Sequence, residues 1–139
     1  MTPFADSSAV VKRYADEEDA DRVRRAGMLV ISELALIEVP AALWRKHRVG
    51  ELPADAARVL SAALADDVAA DHLVVVRVSS TIVADAARLV AVHPLRAYDA
   101  VQLATALAVR AADPDCTTFA CFDAQLMRAA VAEGFAPLA

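Results

Sequence analysis

The apolar residues of this chain follow two rhythms. Short runs rich in β-branched or aromatic residues, "TPFA" at 2–5, "MLVI" at 28–31, "LVVVRV" at 73–78 and "TTFAC" at 117–121, predict buried strands, with a fifth at 135–138. Between them Ala, Leu and Val recur every three or four positions. That spacing predicts helices over 7–15, 17–26, 33–48, 54–70, 80–92, 97–112 and 124–132, and Gly27, Gly50, Pro94 and Gly134 act as stop signals.

Strands that alternate with long helices require right-handed crossovers and a parallel sheet covered on both faces. The expected fold is therefore α/β: one three-layer α/β/α domain over 1–139, with a central, mostly parallel sheet of four to five strands. No repeat, linker or low-complexity tract interrupts it, and "HRVGELPAD" at 47–55 reads as a turn between helices. In such sheets ligands sit beyond the carboxyl ends of the strands, where the strand order reverses. Any chemistry is expected there.

Composition narrows the choice of chemistry. Apolar residues make up 58% of 139 residues, enough for a real core without cross-links. The apolar runs are broken by charges too early to span a membrane, and the N-terminal stretch lacks a basic region followed by a long apolar one, so a cytoplasmic protein is expected. Two cysteines, Cys116 and Cys121, with no histidine nearby, fit reduced thiols and neither a zinc site nor a disulfide framework. A net charge of −5 excludes a globally basic nucleic-acid binder. Positive charge gathers only locally: Lys12 with Arg13, Arg22 with Arg24 and Arg25, and the run Arg45 to Arg48.

The carboxylates are the informative residues. Asp6 in "FADSSAVVKRY" and Asp123 in "FACFDAQLMRAA" each follow a predicted strand, and each reads equally well as a helix N-cap. Asp99 in "LRAYDAVQLATAL" sits in a first helical turn, where the macrodipole favours an acid and Arg96 is near enough to pair. Glu38 in "SELALIEVPAALWRK" is different. It lies one turn from Leu34 and from Ala41 and Ala42, on the side expected to face the sheet and far from any cap. A buried carboxylate needs a cation, a proton or water.

If all four acids meet at one end of the sheet, they require positive charge among them. Two carboxylates about 4 Å apart repel by roughly 4 kcal/mol at an effective dielectric near 20. Oxygen donors without His or Cys select Mg²⁺, with Mn²⁺ as a substitute, over zinc. Such an ion polarises a phosphoryl oxygen and supplies hydroxide, which points to phosphodiester hydrolysis.

Taken in order, "FADSSAVVKRY", "ISELALIEVPAALWR", "LRAYDAVQLATAL" and "FDAQLMRAAVAEGF" resemble the PIN-domain family, especially the VapC-type toxins of bacterial toxin–antitoxin pairs. The likeness runs nearly end to end. It implies a Mg²⁺-dependent endoribonuclease, a hydrolase of α/β/α fold, silenced by a small antitoxin whose C-terminal segment lies across the site, and a homodimer. Asp6, Glu38 and Asp99 match the family's three metal-binding acids and Asp123 the fourth. Ser8 falls where the family often has a supporting hydroxyl. Two departures stand out: Cys121 replaces the usual Thr or Ser two residues before the fourth acid, and Pro40 inside the Glu38 helix removes the amide bond to the Leu36 carbonyl and is expected to kink it.

An acid cluster repels RNA, so nearby cations must draw the backbone in; Lys12, Arg13, Arg45 and Arg96 are the candidates. Leu34, Ile37 and Trp44 read either as core or as a partner groove. The alternative function is a PIN-like module that binds RNA or protein without cutting. A structure-specific DNA nuclease of related fold would carry extra helices that this compact chain lacks. Other chemistries fail on their residues. A phosphoaspartyl phosphatase needs Asp where Ser8 stands, and a receiver domain needs a Lys near the last strand, whereas the only lysines are Lys12 and Lys46. Three scattered glycines build no phosphate loop, and no serine lies in a nucleophile elbow.

Overall fold

The computed structural model describes residues 2–139. In chain order the elements are β1 (Phe4–Ala5), α1 (Ser7–Tyr14), α2 (Ala20–Arg25), β2 (Leu29–Ser32), α3 (Ala35–Arg48), α4 (Ala54–Ala69), β3 (Leu73–Val76), α5 (Ser80–Val92), α6 (Ala97–Ala112), β4 (Thr118–Ala120), α7 (Ala124–Ala132) and β5 (Ala136–Pro137). Every expected element is present. The strands are shorter at their ends than the apolar runs suggested, and α2 begins at Ala20 because Asp19 adopts a left-handed φ of 66°, which helical backbone cannot continue through.

All five strands are parallel, in the order β3-β2-β1-β4-β5, a stricter arrangement than the mostly parallel sheet expected. Side chains alternate across the sheet with the strand period of two, and this splits the core into two layers. On one face Ala5, Leu29, Ile31 and Leu73 pack against Val10 of α1, Val23 of α2, Val39 and Leu43 of α3 and Leu64 of α4. On the other face Phe4 and Phe119 pack against Leu89 of α5, Leu103 of α6 and Leu126 of α7. Phe4 stacks on Phe119 at 5.5 Å between ring centroids, and Phe119 meets Phe135 at 5.7 Å. Each fully buried side chain of this size contributes about 1.5–3 kcal/mol.

From β1 the chain moves outward to β2 and β3 on one side, while β4 and β5 lie on the other. The strand order therefore reverses between β1 and β4, and Asp6 and Asp123 follow those two strands. The Asp6 amide continues the pairing, donating to the Ala120 carbonyl at 3.0 Å. This places both residues at the carboxyl edge of the sheet.

Candidate metal-binding cleft

A cleft of about 830 Å³ opens at this edge, and all four acids line it, together with Ser7, Ser8, Gln102 and Phe122. Asp6 comes from the end of β1, Glu38 from α3, Asp99 from the first turn of α6 and Asp123 from the loop before α7. Residues 117 positions apart in sequence thus share one wall of solvent-accessible space.

Capping and site membership turn out to be compatible, because a carboxylate has two oxygens. Asp6 Oδ1 caps α1, accepting from the Ala9 amide at 3.1 Å and from Ser8 Oγ at 2.7 Å. Asp6 Oδ2 accepts from the Cys121 thiol at 3.4 Å. Asp123 Oδ1 caps α7 through the Leu126 amide at 2.9 Å, while its Oδ2 meets Arg96 Nη2 at 3.3 Å. Each residue therefore caps its helix and still lines the cleft.

Asp6 is 4% exposed. Burial pushes its carboxyl from the ordinary 3.8 up to about 6, against the bonds from Ser8, the Ala9 amide and Cys121, which favour the charged form; the charge of Asp99 adds to the rise. Ser8 also accepts from the Phe122 amide at 3.0 Å, so it ties Asp6 to the loop that carries Asp123. Cys121 does related work from the other side: its sulfur accepts from the Asp123 amide at 3.3 Å. Burial, reinforced by Asp6, raises its pKa and keeps the thiol a donor.

Glu38 departs from expectation. Helix α3 starts at Ala35, so Glu38 is in the first turn near a helix start, and the core-facing residues are Ala35, Val39 and Leu43. Glu38 is half-buried and faces the cleft, where its Oε1 accepts from Ser7 Oγ at 2.8 Å and from Gln102 Nε2 at 2.9 Å. The reason is phase: the buried stripe runs through Ala35, Val39 and Leu43, one position on from the expected face of Leu34, Glu38 and Ala42, and this leaves Glu38 beside it. The helix runs continuously through Pro40 to Arg48.

Of the four candidate guiding cations, the cleft holds Lys12, Arg45 and Arg96. Arg96 bridges Asp99 Oδ2 at 3.1 Å and Asp123. Lys12 is largely covered, lying over the Phe122 ring at 4.8 Å and bonding Glu17 at 3.2 Å and the Glu18 carbonyl at 2.8 Å. Arg45 is exposed. Arg13 is placed elsewhere, held by Asp67 at 3.2 Å and the Gly27 carbonyl at 2.7 Å. Ile37 opens at the cleft and is 71% exposed, whereas Trp44 is half-buried and packs edge-on to His47.

Sequence reasoning missed Ser7, Gln102, Glu17 and the individual weight of Lys46. Gln102 had a readable signal, standing three residues after Asp99 on the same helical face. Lys46 Nζ lies 2.7 Å from Glu17 Oε2 across the cleft rim, which no local pattern could reveal.

The donor set fits a hard divalent cation: five carboxylates, the four acids and Glu17 at the rim, and no imidazole or thiol line the cleft. In the arrangement described, however, each acid is engaged by protein groups. Among the described residues no three Asp, Glu, His or Cys side chains stand close enough to hold an ion together. Asp99 and Asp123 would have to turn from Arg96 to join Asp6 and Glu38.

A family model for the PIN domain matches residues 4–131. Two solved structures share the fold. One is a toxin–antitoxin complex from Klebsiella pneumoniae, 17% identical with a TM-score of 0.60, covering 88% of this chain and 87% of that one. The other is Mycobacterium tuberculosis VapC20, a sarcin–ricin loop cleaving toxin, 19% identical with a TM-score of 0.66 and 97% coverage of both chains. No curated protein sequence matches this one. Among the described residues no helix is long and apolar enough to cross a membrane.

Proposed function

The chain belongs to the PIN-domain family, and from that membership we propose that it is a metal-dependent endoribonuclease, the toxin of a toxin–antitoxin pair. The observation that carries this reading is the meeting of Asp6, Glu38, Asp99 and Asp123, from four separate parts of the chain, in one cleft at the point where the strand order reverses. These four would hold Mg²⁺, or Mn²⁺ in its place. Bound there, the ion would supply Lewis acidity to a phosphoryl oxygen and lower the pKa of an attacking water.

The chain's own residues do the rest. Ser8, the Ala9 amide and Cys121 hold both oxygens of Asp6, and Asp123 keeps one oxygen on its helix cap while offering the other to the cleft. Arg45, Arg96 and Lys46 at the rim attract the RNA backbone towards a site whose acids alone would repel it. A toxin–antitoxin complex and a sarcin–ricin loop cleaving toxin among proteins of the same fold support RNA as substrate and a small antitoxin as partner. A homodimer and a cytoplasmic location complete the proposal.

A second reading, an RNA- or protein-binding module that does not cut, draws on one feature: Arg96 closes two of the four acids. Incubating the purified protein, freed of any partner, with total RNA and Mg²⁺ separates the two. Discrete new RNA ends made by wild type, absent with Asp99→Asn and absent in excess chelator, are expected. Cleavage that survives the chelator overturns the metal mechanism, and RNA binding without cleavage favours the module.

A further inference from the structure

The four acids leave one buried group in the cleft unexplained. Gln102 on α6 is 2% exposed. Its Nε2 donates to Glu38 Oε1 at 2.9 Å and to Ser7 Oγ at 3.0 Å, and the Ser7 hydroxyl in turn donates to the same Glu38 Oε1 at 2.8 Å. The amide oxygen, Oε1 of Gln102, is buried and has no hydrogen-bond partner among the described residues.

An acceptor stranded in this way destabilises the fold, and an apolar side chain of the same length would avoid that cost. Turning the amide over gives no relief. It would set the carbonyl oxygen against the Glu38 carboxylate and the Ser7 oxygen, and Ser7 could no longer both accept from the amide and donate to Glu38. The orientation is therefore fixed by what the nitrogen does, and the stranded oxygen is its consequence.

The nitrogen and Ser7 act on a single atom. Both donors converge on Oε1 of Glu38, and among the described residues none bonds Oε2. Glu38 is half-buried on a side chain with three rotatable bonds, and two donors on one oxygen fix the plane of its carboxylate. The small network joins α1, α3 and α6, three of the chain segments that build the cleft.

We propose that Gln102 is a positioning residue for the divalent cation of this cleft: with Ser7 it holds Oε1 of Glu38 so that Oε2 is the oxygen offered to the ion. The inference rests on the metal-dependent reading above. Partners of this kind, which bond a ligand without touching the metal, typically change metal affinity 10- to 100-fold.

The test uses Gln102→Met, apolar and of similar length, and measures Mn²⁺ binding by calorimetry on RNA-free, partner-free protein, with thermal unfolding recorded in the absence of metal. Gln102→Met is expected to unfold at or above the wild-type temperature, because the stranded acceptor is gone, yet to bind Mn²⁺ about tenfold more weakly. Ser7→Ala, which removes one of the two donors, is expected to show a smaller loss. Gln102→Met binding Mn²⁺ like wild type makes the amide purely structural and overturns the inference, whatever its unfolding temperature. If Gln102→Met does not fold, unchanged Mn²⁺ affinity in Ser7→Ala overturns it, and a few-fold loss there supports it. Wild type that fails to bind Mn²⁺ overturns both this inference and the reading beneath it; normal wild-type binding with an unaffected variant overturns this inference alone.

Discussion

Arg96 Nε stands 3.1 Å from Asp99 Oδ2, one helical turn away, and the same guanidinium reaches Asp123. This cation occupies the position that a metal would have to win. The arginine side chain is 77% exposed, so the contact is screened by water and easily given up.

Arg96→Ala is accordingly expected to tighten Mn²⁺ binding a few-fold, because it removes both a competitor for the two acids and a repelling charge. RNA affinity, measured in chelator, should fall at the same time. Calorimetric titration of the variant checks the first effect; an unchanged Mn²⁺ affinity would show that Arg96 does not guard the acids in solution.

Asp6 imposes a pH dependence on the metal-free protein. Folded, it keeps its proton to about pH 6, whereas the unfolded chain releases it near 3.8. Between those values the folded state binds more protons, so stability falls as pH rises; above about pH 6 the charged form costs the fold on the order of 3 kcal/mol. Asp6→Asn keeps a cap acceptor and removes the charge. It should therefore stabilise the metal-free protein at about pH 7 and make little difference below about pH 4. Denaturant unfolding of both proteins at the two pH values checks this, and an equal gain at both would contradict it.

Glu17 sits between the two lysines of the chain, 3.2 Å from Lys12 Nζ and 2.7 Å from Lys46 Nζ. Burial opposes its charge, yet the hydrogen bonds from Lys46 and Lys12 hold its carboxyl below the usual carboxylate value. Glu17→Gln would release positive charge at the cleft rim. Binding of single-stranded RNA in chelator should strengthen several-fold at low salt, and the slope of log affinity against log salt should steepen by about 0.7 for each lysine that gains a phosphate. Fluorescence titration over a salt series reads both quantities. A slope equal to that of wild type would place the lysines outside the RNA path.

Much of the fold was legible along the chain because its signals are local. "LVVV" at 73–76 and the Ala and Leu spacing over 97–112 are periodicities that a single element satisfies by itself, and β3 and α6 appear where those patterns lie. Element ends and faces were less readable: α2 starts late because of one left-handed residue, Asp19, and the buried stripe of α3 runs through Ala35, Val39 and Leu43, one position on from the face expected, so Glu38 lies at the cleft wall.

The site divides in the same way. The sequence by itself determined the residue types, the alternation of strands and helices, and three of the acids, Asp6, Asp99 and Asp123, at strand ends or in an early helical turn, since these depend on backbone hydrogen bonding and side-chain period within a few residues. Only the tertiary structure decided that Asp6 is desolvated, that Arg96 reaches two acids 24 positions apart in the chain, that Gln102 and Ser7 share one oxygen of Glu38, and that Arg13 turns away to Asp67. Those relations depend on distances between segments far apart in sequence, which are set by how the two core layers pack on the sheet. A side chain's partners across a fold follow from that packing and leave no mark in the residues beside it.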